Sequence, residues 1–187
     1  MKIMPTIITH SLIGFLSGKL SAFEVDKKRF WFFSIVLPML PDADVLTFYF
    51  NIHYSHFIGH RGFFHSIFFA YLIGIIIVTF FFRKNNLFSR KSLLLMAYFG
   101  TLTASHGIFD AMTNGGMGIA LLAPFDNTRY FLPFRPIQVS PIGITKFFSY
   151  WGYKTLFSEM LYIWTPAVLI TFLTLFIKKK RKNPKKI

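Results

Sequence analysis

The stretch His60-Arg61-Gly62-Phe63-Phe64-His65-Ser66 places two imidazoles and a guanidinium directly ahead of the most apolar run in the chain, residues 67–82. Further on, Ser105-His106-Gly107-Ile108-Phe109-Asp110 sets His106 and Asp110 four residues apart. On a helix they share one face and can grip one ion. Upstream, Asp42 and Asp44 flank a single residue after Pro41, a turn-like arrangement that can aim a carboxylate inward, and His10 lies inside the first apolar stretch. With no cysteine in the chain, histidine and carboxylate without thiolate suit zinc or manganese better than magnesium, which prefers oxygen. Seven candidate ligands, His10, Asp42, Asp44, His60, His65, His106 and Asp110, are enough for one to three ions. Such sites polarise a phosphoryl or acyl oxygen and draw a nucleophile from water near neutral pH.

Each of these residues also has a plainer reading. A lone His106 can be a packed helix histidine, Asp44 can cap a turn, and Arg61 can be a positional charge. Against that, histidine and aspartate inside membrane segments are expensive and default to function. Beside the ligands, Arg61 is placed to hold an anionic substrate. Arg129 and Arg135 are weaker candidates of that kind. His53 and His56 fall in an aromatic-rich loop and read as interfacial, while Asp126 and Glu159 read as surface or interface residues.

The elements that must position these groups are membrane helices. The 187 residues are 53% hydrophobic and 20% aromatic with a mean hydropathy of +0.50, more apolar surface than a soluble domain of this length tolerates. The reading is an all-α fold, a polytopic integral membrane helical bundle with four to five transmembrane helices. Apolar segments fall at 3–20, 30–40, 64–82, 92–112 and 159–177, the last with Pro166 as a kink. The second is short, about half a hydrocarbon core at ~1.5 Å per residue, and 42–59 reads as a connector. The first run lacks a small-residue cleavage site, so it is expected to stay as a helix. Residues 1–177 form one membrane-embedded domain. Within it, 113–158 is a glycine- and proline-rich irregular extracytoplasmic loop, and 178–187 is a basic cytoplasmic tail.

A net charge of +14 would suggest nucleic acid in a soluble protein. Here the cations come in blocks beside apolar segments, which is the pattern of orientation by the positive-inside rule. The lipid bilayer is therefore the partner, and no nucleic acid is expected. Placing stretches 19–29, 83–91 and 178–186 in the cytoplasm accounts for 15 of the 21 Lys and Arg residues. The C-terminus is then cytoplasmic, and all seven candidate ligands gather at the extracytoplasmic face.

Taken in order, Thr9-His10, Leu40-Pro41-Asp42-Ala43-Asp44, His60-Arg61-Gly62-Phe63-Phe64-His65-Ser66, and Ser105-His106 with Asp110 resemble the bacterial YdjM family. Leu122-Ala123-Pro124-Phe125 followed by Arg129 is similar to that family's downstream segment. The resemblance covers roughly residues 5–136. It implies a LexA-regulated inner-membrane metal-dependent hydrolase with His10, Asp42 or Asp44, His60, His65, His106 and Asp110 at the metal site. The ligand pattern is more distantly similar to zinc-dependent phospholipase C, an all-helical phosphodiesterase. That similarity implies an amphiphilic or phosphoester substrate cut by metal-activated water at the outer membrane–water interface. The competing reading is a non-catalytic metal-binding or transport membrane protein. A transporter would place its ligands near the midplane, whereas these gather at one end.

Overall fold

A computed structural model of the chain describes residues 3–4, 6–83, 86–141 and 148–182. Lys84, Gly143 and the tail from Asn183 onward lie outside the described residues. The fold is all-α. Among the described residues the only paired strands are two residues each, Ile3–Met4 against Ser140–Pro141.

Helix α1 (Ile7–Leu20) leads to α2 (Lys27–Val36), whose first turn is capped by the Asp26 carboxylate accepting from the Arg29 N–H. Neither Pro38 nor Pro41 can donate a backbone N–H, yet the chain does not stop at residue 40. It tightens into a 3-10 helix, Leu37–Phe50, that ends at Asn51 in the left-handed conformation (φ 55°). The connector expected over 42–59 is therefore helical through its first half, and the short second segment becomes a 24-residue apolar element, Lys27–Phe50. Helix α3 (Ile67–Phe81) is capped by Ser66, and α4 (Arg90–Ala111) by Ser89. The last element begins earlier than its hydropathy suggests, with α5 (Tyr150–Glu159), a π turn (Met160–Trp164) and α6 (Thr165–Lys182). The π turn ends two residues before Pro166. A proline there lacks the N–H for residue 162 and crowds its carbonyl, and a locally widened turn absorbs both defects.

Among the described residues three helices, rather than four to five, are long and apolar enough to cross a membrane: Lys27–Phe50, Arg90–Ala111 and Tyr150–Arg181. At ~1.5 Å per residue, α1 and α3 reach only about 21–22 Å of a hydrocarbon core of about 30 Å. Large apolar side chains on α6 are left uncovered, Ile170 by 61% and Phe172 by 64%, as a lipid-facing helix requires.

The packed apolar centre lies between α2, α3 and α4: Phe30, Phe33 and Leu37, then Val78 and Phe82, then Leu95 and Phe99. Helices α3 and α4 touch backbone to backbone through Gly74 and Gly100. A Cβ on Gly74 would lie 2.7 Å from the Met96 carbonyl and 2.8 Å from the Gly100 nitrogen. Small residues permit such contact, which matters in lipid, where apolar burial alone does not drive helices together. At one end of this centre, cations cap helix C-termini: Lys178 Nζ donates to the Leu20 carbonyl at 2.7 Å and Arg29 Nη1 to that of Phe81 at 2.5 Å. Both contacts satisfy carbonyls that a helix end leaves without partners. The titratable cluster is built at the other end.

Candidate metal centre

Four elements bring the cluster together. His10 is in the first turn of α1, Asp42 and Asp44 lie on the 3-10 helix, His65 ends a short 3-10 turn (Phe63–His65) just ahead of α3, and His106 and Asp110 are in the last turns of α4. Asp42 is 6% exposed and Asp44 4%, and the other members are buried at 2% or less. Among the described residues two sets of side chains are close enough to hold an ion, Asp42 with His65, His106 and Asp110, and Asp44 with His60 and His65.

In the first set, Nε2 of His106 lies 3.4 Å from Asp42 and 3.8 Å from Asp110, and Nε2 of His65 lies 3.7 and 3.5 Å from the same carboxylates. The two Nε2 atoms are 3.0 Å apart. Which nitrogen of His106 faces the set is decided by a backbone defect. In a 3-10 turn the Pro38 carbonyl would pair with the N–H of residue 41, and Pro41 has none. His106 Nδ1 donates to that carbonyl instead, at 2.7 Å. This fixes the tautomer that offers the Nε2 lone pair inward, the usual supporting contact of a metal-ligating histidine. His10 lies beside this set rather than in it, stacked on His106 at 3.9 Å with its Nε2 3.7 Å from Asp110.

In the second set, His60 Nδ1 and Asp44 Oδ1 are 2.6 Å apart, so this pair is hydrogen-bonded and His60 has Nε2 left to offer. The other oxygen of Asp44 accepts the Arg61 backbone N–H at 3.0 Å and lies 3.0 Å from His65 Nδ1. His65 thus faces both sets, one nitrogen to each. Burial disfavours charge on it, but Asp44, aided by Asp110 and Asp42, outweighs burial and raises its pKa well above the ordinary histidine value. The 3.0 Å approach of the two Nε2 atoms places a proton on Nε2 of His65, since His106 carries its own on Nδ1.

Arg61 has no exposed surface and adopts φ 63°, a left-handed conformation that is strained for a residue with a side chain. Its Nε lies 3.1 Å from Asp110 Oδ2 and its Nη1 donates to the Gly115 carbonyl at 2.9 Å. Arg129 is engaged with backbone, donating to the carbonyls of His60 and Tyr54 at 2.9 Å each. Arg135 lies over the Phe131 ring. His53 and His56 are exposed and stay out of the cluster.

The cluster's polar atoms are poorly satisfied by the protein. Both oxygens of Asp42, both of Asp110, both nitrogens of His10 and Nε2 of His60 are buried without a hydrogen-bond partner. Buried polar groups are nearly always paired, and a set of oxygens and imidazole nitrogens is the donor chemistry of a divalent cation. The residues present therefore fit a metal.

One buried carboxylate behaves differently. Glu159, read from the sequence as a surface or interface residue, is fully buried. It accepts from the Thr6 N–H at 2.6 Å, from the Thr6 hydroxyl and from the Thr9 hydroxyl at 2.6 Å, and Trp164 Nε1 donates to the same Thr9 oxygen. Its position at the start of a long apolar stretch is the one sequence signal for burial, because a carboxylate there is costly unless paired.

The model of the YdjM inner membrane protein family matches residues 4–182. The chain belongs to that family. It is 36% identical over 167 residues to the Inner membrane protein YbcI of Escherichia coli (strain K12), a match covering 89% of this chain and 95% of that protein. No solved structure matches. Family and helices together make this an inner-membrane, multi-pass protein in contact with the lipid bilayer. It carries a buried His/Asp cluster able to coordinate a divalent metal ion.

Proposed function

We propose that the protein is a membrane-bound metal-dependent hydrolase that cleaves a phosphoester or phospholipid-like substrate. The observation that carries this reading is the set of buried, unpartnered carboxylate oxygens and imidazole nitrogens around Asp42, His65, His106 and Asp110. A purely structural cluster would be satisfied internally, as Glu159 is. The metal, zinc or manganese, would be held by Asp42, His65, His106 and Asp110, with His10 alongside and Asp44 with His60 able to serve a second ion. Such an ion supplies Lewis-acid polarisation of a phosphoryl oxygen and lowers the pKa of water.

The chain's own residues do the rest. Asp44 orients His60 and His65, the Pro38 carbonyl orients His106, and Arg61 holds Asp110 in place while keeping one guanidinium nitrogen for substrate. The candidate ligands sit in the first turn of α1 and the last turns of α4, which favours chemistry at one membrane face over transport through the midplane. The lysine and arginine caps on the helix ends opposite the cluster support a cytoplasmic C-terminus and an extracytoplasmic site. Residues 1–177 then act as one unit.

The test is hydrolysis of a chromogenic phosphodiester and of a short-chain phospholipid by the purified protein in detergent with added zinc or manganese. Turnover that disappears in His106→Ala is the expected result. A metal-loaded protein that turns over neither substrate would favour the non-catalytic metal-binding reading.

A further inference from the structure

Next to the metal cluster, the Tyr54 hydroxyl and Nη2 of Arg61 are buried, belong to neither ligand set and donate to no acceptor among the described residues. The side chains that carry them meet at one point of the chain. Gly116, at φ 91°, has no Cβ; an added one would lie 2.6 Å from Arg61 Nη1 and 3.1 Å from Tyr54 Oη. The glycine thus allows both a left-handed backbone and the meeting of these side chains. Tyr54 is held on several sides, with its ring edge-on to His60 at 5.2 Å, the Arg129 guanidinium 5.4 Å from its centroid, and its carbonyl accepting from Arg129 Nη2. Burial raises the pKa of its hydroxyl despite the nearby arginines, so at neutral pH it is a donor. Arg61 is fixed by Asp110 and the Gly115 carbonyl, which leaves Nη2 as its unengaged nitrogen.

We propose that Tyr54 Oη and Arg61 Nη2 form an oxyanion-binding subsite that takes one phosphoryl oxygen of the substrate. The proposal rests on the reading of the cluster as a phosphoester-hydrolysing centre and deepens it by naming what receives the phosphoryl group. Both groups are donors, one of them charged, which is the complement of an anionic oxygen. Asp110 links this pair to the ligand set, with Oδ2 against Arg61 Nε at 3.1 Å and His65 Nε2 at 3.5 Å. An anion held by Tyr54 and Arg61 is therefore one carboxylate away from the metal ligands, and a tetrahedral phosphate, with more oxygens and more charge than a carboxylate, can engage both sides at once. The shared chemistry is a phosphoryl oxyanion, whether it comes from a lipid headgroup or from a small soluble phosphoester.

The experiment titrates inorganic phosphate into the full-length, zinc-supplemented protein in detergent, by calorimetry, for the wild type and Tyr54→Phe. A parallel arm uses nanodiscs containing phosphatidate. The subsite predicts phosphate binding weakened about tenfold in Tyr54→Phe, the effect of one hydrogen bond to a charged group. Zinc content and thermal unfolding should be unchanged, and acetate, with fewer oxygens and less charge, should compete more weakly than phosphate. Tyr54-dependent competition by phosphatidate identifies a lipid headgroup, and its absence beside Tyr54-dependent phosphate binding identifies a soluble phosphoester. Equal phosphate affinity in the two proteins, acetate competing as well as phosphate, or zinc-loaded wild type that does not bind phosphate would each overturn the subsite. Wild type that holds no zinc defeats the metal reading separately. The chelated protein then decides the subsite, which stands if phosphate binding still depends on Tyr54 and falls if it does not.

Discussion

The corner around Glu159 and the cluster around Asp42 and Asp110 bury carboxylates to similar depth and treat them in opposite ways. Glu159 receives a backbone N–H and two hydroxyls, and the Trp164 indole steadies one of those hydroxyls. Asp42 and Asp110 have all four oxygens without a hydrogen-bond partner, among imidazoles that are similarly under-paired. The first arrangement ties the last helix to the first and is complete without any added group. The second is costly as it stands and becomes reasonable once a cation occupies it. Burial of an acid in this fold is therefore not itself a sign of function, and incomplete pairing is.

Substitutions can split the two regions. Asp42→Asn removes a charge whose oxygens no protein donor satisfies. Metal affinity should fall on the order of a hundredfold or more, beyond what loss of a supporting contact brings, while the protein stays folded without metal. Metal titration and thermal unfolding of the same preparation check both halves. Asp44→Asn disturbs a residue that orients His60 and His65, and a smaller loss of about 10–100-fold in metal affinity is expected. Glu159→Ala should do the reverse. It strips partners from the Thr6 N–H and from two buried hydroxyls, costing about 1–3 kcal/mol of stability, while metal stoichiometry is kept. A Glu159→Ala protein that is stable but metal-free would erase the distinction.

Acidity sharpens the contrast. His65 has its pKa raised above the ordinary value, so in the metal-free protein it holds its proton to higher pH than a free imidazole does. Its charge stabilises the metal-free fold fully below the unfolded pKa of about 6.5, and that contribution is lost as pH rises through the raised folded value. Metal must displace this proton, so below the folded pKa the apparent affinity should fall about tenfold per pH unit from His65 alone. Metal-free stability and metal affinity should thus change in opposite directions with pH. Parallel unfolding and metal titrations across neutral pH would show it, and a pH-independent affinity would contradict the placement of His65.

Much of the cluster was legible because polar residues are conspicuous in apolar sequence. His106 and Asp110 share a helix face by spacing alone, and His60 and His65 announce themselves ahead of α3. The tautomer of His106 was not legible, since it depends on a carbonyl freed by Pro41 in a helix 68 residues away. The same prolines hid a span. They argue for an end to the α-helix near residue 40, whereas the chain continues in 3-10 turns to Phe50 and makes Lys27–Phe50 long enough to cross. Conversely, 64–82 reads as the strongest span, but the Ser66 cap confines its helix to 15 residues. Glu159 escaped because its partners are 150 and 153 residues distant, and Tyr54 because an aromatic-rich connector offers no periodicity to single it out.

The central claim, that the buried cluster is a metal centre, is tested most directly by the metal content of the protein purified from membranes, measured beside Asp42→Asn and Glu159→Ala. Stoichiometric zinc or manganese in the wild type and in Glu159→Ala, and little in Asp42→Asn, is the predicted result. A folded wild-type protein that carries no divalent metal and takes up none on titration would contradict it.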